Sequence, residues 1–177
     1  MGIKELLQSK KLSTLRNRPK LMLPPSDTLF RKVGLVLCLS NVEQIKMVDI
    51  LCRLFADQGD LCSVCIFQKN NKLIIPHAWG SNDWLVLQPR HVNWYGLIRP
   101  GVADRFVQQS FDLLINLSPE YFFATSYIAA LTQAKLKVSR YLQPYSPYQL
   151  VLGIENTVDG DDFVRLLDQS LKHIKFP

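Results

Sequence analysis

Read for hydrophobic and polar positions, the chain alternates short apolar runs with amphipathic stripes. Val33 to Leu39 reads Val-Gly-Leu-Val-Leu-Cys-Leu, the nearly unbroken pattern of a strand buried on both faces of a parallel sheet. Ser40 and Asn41 follow as helix caps. The next segment sets Ile45, Val48, Leu51, Cys52 and Phe55 on one stripe, opposite Glu43, Lys46, Asp49, Arg53 and Asp57, and ends near Gly59. Leu61 to Gln68 is a second apolar strand. Together these make a βαβ unit, whose crossover is expected to be right-handed.

From Lys69 to Pro100 the alternation breaks down. Leu73 to Ile75 and Trp84 to Leu87 are short apolar runs separated by Pro76, Gly80, Ser81 and Asn82, which predicts an extended excursion with one or two minor strands. Gly101 to Ser110 predicts a short helix with Val102, Phe106 and Val107 inward, and Phe111 to Leu117 is the third clear strand. Ser118-Pro119-Glu120 carries a hydroxyl cap, a proline and an acid in the order of a helix start. Tyr121 to Ala134 is apolar nearly all round, so that helix should be buried. Leu136 to Tyr141 and Gln149 to Ile154 are the fourth and fifth strands, linked by a loop with Pro144 and Pro147. A last helix places Phe163, Leu166, Leu167, Ser170, Leu171 and Ile174 inward. It has Asp159, Asp161 and Asp162 at its start and Lys172, His173 and Lys175 at its end. The expected architecture is α/β: a three-layer, Rossmann-like (doubly wound) domain with a mostly parallel five-stranded sheet over residues 33–177.

Residues 1–32 form a basic N-terminal arm in this reading. Ile3, Leu6 and Leu7 start a helical stripe that lysines interrupt one turn later, Leu12 and Leu15 point elsewhere, and Pro24-Pro25 stops regular structure. The formal charge of the 177-residue chain is +6. The arm holds eight basic against two acidic side chains, and the remainder thirteen of each. Affinity for nucleic acid or an anionic membrane therefore belongs to the arm, with Lys10, Lys11, Arg16 and Arg18 as its candidate contacts. Near an anionic leaflet each contributes on the order of 1 kcal/mol, giving weak, salt-sensitive attachment. The plain alternative is a solvated extension that maintains solubility. The apolar content excludes disorder, and no apolar run approaches the roughly 18 residues of a membrane-spanning helix. Lys10 and Lys11 cut off a secretory signal, and Leu6 stands where a myristoylation motif wants Ser or Thr. A cytoplasmic location is the expectation.

Ligands of such folds gather outside the carboxyl ends of the strands. Ser40, Asn41, Gln68 to Asn71, Asn116, Ser118, Gln143, Glu155 and Asn156 follow those ends, mostly amides and hydroxyls that hold polar ligands but make poor nucleophiles or bases. The first turn, Leu39-Ser40-Asn41-Val42, lacks the glycines of a phosphate cradle, so no nucleotide cofactor is expected and capping is the simpler role. Asn93 and Trp94, with His77, Trp79, Trp84, His91 and Tyr95, fall in the excursion, where aromatic and polar groups either close over a ligand or pin the loop to the body. Cys62-Ser63-Val64-Cys65 has disulfide-oxidoreductase spacing but lies inside a strand, where i and i+3 point to opposite faces. These two, with Cys38 and Cys52, read as small core hydrophobes. No spacing of His and Cys makes a metal set, and no Gly-x-Ser-x-Gly elbow occurs.

The segments Asn93-Trp94-Tyr95, Phe111 to Leu117 and Tyr127 to Val138 resemble a family of small bacterial proteins known only as a domain of unknown function. That family typically opens with a short basic segment and closes with a helix like Asp161 to Ile174. Its members often carry Asp where this chain has Asn116 and Gly where it has Ser139. Asp112 to Arg140 is also similar to the N-terminal half of heptosyltransferase-like enzymes, in which a Tyr-Asp-Leu-Val-Ile-Asp-Leu strand precedes a buried helix and a short basic strand. Those enzymes bind their sugar-nucleotide donor largely with a second domain, for which a chain of this length has no room. The resemblance thus implies a fold and an acceptor-like crevice more than an activity.

Two expectations follow. The leading one is a non-enzymatic binding or scaffold domain for a small polar ligand or a protein partner, docked to an anionic surface through its arm. The alternative is a small enzyme or sugar-nucleotide binder at the strand ends around Ser40, Asn41, Asn116 and Ser118.

Overall fold

The computed structural model describes residues 2–16, 30–57, 61–69, 84–141, 146–153 and 160–173. The elements are α1 (Ile3–Arg16), β1 (Lys32–Leu39), α2 (Val42–Asp57), β2 (Leu61–Gln68), β3 (Trp84–Leu87), α3 (Asp104–Val107), β4 (Ser110–Asn116), α4 (Phe123–Leu131), β5 (Gln133–Ser139), β6 (Leu150–Val151) and α5 (Gly160–His173).

The apolar runs of β1, β2 and β4 become the middle of one six-stranded sheet in the order β3-β2-β1-β4-β5-β6. Every described pairing in it is parallel. Leu35 lies opposite Val64 on one side and Ile115 on the other, and all three are fully buried. Both faces are covered. Leu35, Leu37, Ile66, Ile115 and Val138 meet α2 and α5 through Val48, Leu51, Phe163 and Leu167. Val36, Cys38, Cys65 and Leu114 meet α3 and α4 through Phe106, Ala124 and Ile128. The domain is a three-layer, doubly wound α/β sandwich, as alternating strands and helices imply.

The sheet has six strands, not five. Trp84–Leu87 adds an edge strand against β2, with Val64 opposite Trp84; a four-residue apolar run does not announce its partner locally. The helix expected at Ser118 starts at Phe123 instead, because Ser118 is engaged elsewhere. Gly101 to Ser110 shortens to the single turn of α3, with Phe106 alone fully inward. The fourth strand begins at Gln133, three residues early, and the fifth shrinks to Leu150–Val151. On α5, Leu166 is 42% exposed while Phe163 and Leu167 are buried. Leu73 to Ile75, Pro144 and Ile174 lie outside the described residues.

The end of α4 illustrates how side chains complete a helix terminus. The Thr132 amide and hydroxyl both donate to the Ile128 carbonyl. The nearly buried Lys137 of β5 reaches across to donate to the Ala129 carbonyl at 2.7 Å, a cation at the negative end of the helix dipole.

Asp112 ties three strands together. Its Oδ2 accepts from the Arg31 and Lys32 amides at 3.0 and 3.1 Å, and its Oδ1 pairs with Lys135 Nζ at 2.7 Å. Burial alone would raise its pKa, but the Lys135 hydrogen bond and charge, with the two amides, outweigh it and hold the carboxyl below its ordinary value. A depressed folded pKa contributes stability above the ordinary carboxylate range, lost as pH falls through the folded value. Asp112→Asn is therefore expected to cost about 1–2 kcal/mol at neutral pH. The gap should narrow in urea titrations run progressively below pH 4. A gap that is constant with pH would show that the carboxylate charge contributes nothing.

Candidate functional site

In a sheet of this order the connections reverse direction between β1 and β4, and a ligand crevice is expected above their carboxyl ends. Here the chain itself crosses that place. Beyond β4 the Leu117 amide donates to the Val36 carbonyl at 2.8 Å, and Ser118 Oγ accepts from the Cys38 amide at 3.0 Å. Ser118 Oγ also donates to Thr125 Oγ1, which donates to the Phe122 carbonyl. The segment then reaches β2: the Phe122 ring lies 4.7 Å from that of Phe67, and Glu120 pairs with Lys69 at 2.8 Å, Lys69 Nζ resting over the Phe122 ring. Beneath it, burial pushes the Cys38 thiol up to about 12, the Lys69 charge opposing and Glu120 adding to the rise.

Asn116 and Ser118 come together, both about 1% exposed. Asn116 Oδ1 accepts from the Ser118 amide and Asn116 Nδ2 donates to Tyr148 Oη at 2.6 Å. Ser40 and Asn41 sit exposed at the start of α2. Asn41 Oδ1 accepts from the Gln44 amide, while Gln44 Oε1 receives the Ser40 amide, the Ser40 hydroxyl and the Asn41 amide. This is a reciprocal cap. Gln44, the residue that completes it, was legible as an amide three residues after Asn41 but was not singled out. Among the described residues no cluster of three His, Cys, Asp or Glu is placed to hold a metal ion. Asn70, Asn71, Gln143, Glu155, Asn156, His77 and Trp79 lie outside the described residues.

Asn93 and Trp94 are placed well away from these groups in the fold, in a turn closed by Asn93–Leu97 hydrogen bonds and a Gly96 at φ 93°. The turn touches α1: Gln8 Nε2 donates to the Tyr95 carbonyl at 2.6 Å. A Cβ on Gly96 would lie 3.1 Å from the Phe123 ring and 3.2 Å from Gln8, so its glycine answers both the positive φ and the crowding. Trp94 remains 69% exposed, edge-on to Tyr95.

α1 is held to the body along Gln8, Leu12 and Leu15, with Leu12 packed against Phe123 and Ala130 of α4. The leucines that interrupt the N-terminal stripe are thus the docked side. That orientation turns Ile3, Leu6 and Leu7 outward, 77%, 52% and 38% exposed. Among the described residues no other five-residue stretch exposes three large apolar side chains. Lys4, Lys10 and Lys11 are exposed on the same helix against one acid, Glu5, which accepts from the Gly2 amide. Arg16 closes α1, and Arg18 lies outside the described residues. The sequence located the lysines, but not the leucines beside them, because only docking through Leu12 decides which face is free. No described helix is long and apolar enough to cross a membrane.

The strand order and the self-filled crevice define a doubly wound, Rossmann-like α/β domain. Within that class, the chain belongs to a family of unknown function, DUF6913, whose model matches residues 4–174. No curated protein and no solved structure matches it. The match agrees with the resemblance to a domain of unknown function and brings no activity with it.

Proposed function

We propose that this protein is a non-enzymatic α/β binding domain that docks to an anionic membrane leaflet through the outer face of α1. The observation that carries the reading is the exposure of Ile3, Leu6 and Leu7 beside Lys4, Lys10 and Lys11, on a helix fixed to the body by its other side. Apolar side chains enter the interfacial region while lysines meet lipid headgroups. The anionic leaflet of this kind faces the cytoplasm, which is where this reading places the protein. The strand-end residues lend less support to a sugar-nucleotide binder, since Asn116 and Ser118 already answer each other, Tyr148 and the Cys38 amide.

Sedimentation with vesicles tests the reading. The full chain should pellet with phosphatidylserine-containing vesicles and not with pure phosphatidylcholine, and binding should fall as salt rises. Lys10→Glu with Lys11→Glu should weaken it roughly tenfold or more, and Leu6→Ser with Leu7→Ser should weaken it even at low salt. Equal binding by all variants would end the proposal. Nucleic-acid binding that ignores the leucine pair would transfer the helix to a different ligand.

A further inference from the structure

Cys62 does not pair with Cys65 across the strand. Cys65 lies in the core against α3 and α4, whereas Cys62 packs on the opposite face, with α2. There its sulfur meets that of Cys52, in the later turns of α2, at 3.4 Å. Both thiols are half-buried, within reach of a small reagent, while Cys38 and Cys65 are buried at 2% and 0% exposure. A disulfide needs sulfurs about 2.05 Å apart, an approach of little more than 1 Å from the observed separation. The two residues sit on adjacent elements of one βαβ unit, so a bond between them would clip the end of α2 to the beginning of β2.

We propose that Cys52 and Cys62 are a redox site, converted to a reversible disulfide by a hydroperoxide. The Cys52 thiolate attacks one peroxide oxygen, the O–O bond breaks, and the other oxygen leaves as alcohol or water after taking a proton. The resulting Cys52 sulfenic acid is attacked by Cys62 sulfur, which gives up its proton as the S–S bond forms and water departs. The two sulfurs together lose two electrons and the peroxide gains them. Assignment of Cys52 as the attacking group agrees with its surroundings: the hydrogen bond from Cys62 lowers its pKa, against burial and the nearby Asp49 carboxylate. Burial raises the thiol pKa of Cys38 and of Cys65, which keeps both protonated and slow. This site is independent of the outer face of α1.

Peptide mapping without reductant decides the matter. Full-length protein treated with hydrogen peroxide, then alkylated and digested, should lose two of its four thiols together and yield one cross-linked species joining Cys52 to Cys62. Dithiothreitol should reverse it. In Cys62→Ser, whose folding is checked by its melting curve, a dimedone adduct should accumulate at Cys52. Cross-links through Cys38 or Cys65, disulfide-linked dimers, or four surviving thiols in the wild-type protein would each overturn the proposal, whether or not the variant folds.

Discussion

Phe163→Ala is expected to remove about 3–5 kcal/mol of stability, a large fraction of the 5–15 kcal/mol typical of a domain. Phe163 is fully buried and seats α5 on the sheet beside Leu136, Val138 and α2. Its ring also lies 5.3 Å below the Arg140 guanidinium, which is itself 5% exposed. Burial pulls the Arg140 pKa below its ordinary value, so the ring face is part of what this cation has in place of water. Truncation therefore opens a void and withdraws a partner from a buried charge. Phe163→Leu keeps most of the volume and should cost about 1–2 kcal/mol, the difference between the two variants measuring the cavity. Urea denaturation followed by fluorescence and by far-UV circular dichroism is the check. An alanine variant within about 1 kcal/mol of wild type would mean that α5 is not seated as described.

Gly34→Val should destabilise by about 3 kcal/mol, and here the sign is as informative as the size. Taken alone, replacing glycine inside a strand is favourable by about 0.5–1 kcal/mol, because glycine loses the most freedom on folding. The surroundings reverse that. A Cβ at position 34 would meet Leu114 Cδ1 at 2.7 Å and the Phe111 ring at 3.1 Å. Gly34 lies opposite Leu114 in the β1–β4 register, and Phe111 in turn packs against Phe106. Neither side chain can retreat within a filled layer. Adding Leu114→Ala to the valine variant should cost less than the sum of the two single changes, with a coupling of about 1 kcal/mol or more. A Gly34→Val protein that melts higher than wild type would refute the packing.

How much of this was legible depended on where the deciding partner sat. β1, β2 and β4 are buried on both faces, and their apolar runs declared them without reference to anything else. α2 was equally plain, its stripe of Ile45, Val48, Leu51 and Phe55 all buried. The helix start at Ser118 had a good local signal and lost to a contact 80 positions away, where the hydroxyl holds the Cys38 amide. The Cys52–Cys62 approach was hidden for the same reason, since spacing along the chain drew attention to Cys62 and Cys65. At the strand ends the residue types were read correctly as amides and hydroxyls, but their engagement with one another depends on the crossing segment 117–123. The charged arm was visible as composition. Its free face was not, because that depends on Gln8 and Leu12 finding Tyr95 and α4.

The pairing of β1 with both β2 and β4 also sets a timetable for biosynthesis. β2 leaves the ribosome soon after β1, whereas the partner on the other side, from Val33 opposite Leu113 onward, is supplied only when Ser110–Asn116 emerges. At ordinary translation speeds that wait is on the order of several seconds. Throughout it, the most apolar ribbon of the nascent chain carries a bare row of amides and carbonyls, which makes the interval before β4 appears the time when chaperone protection matters most.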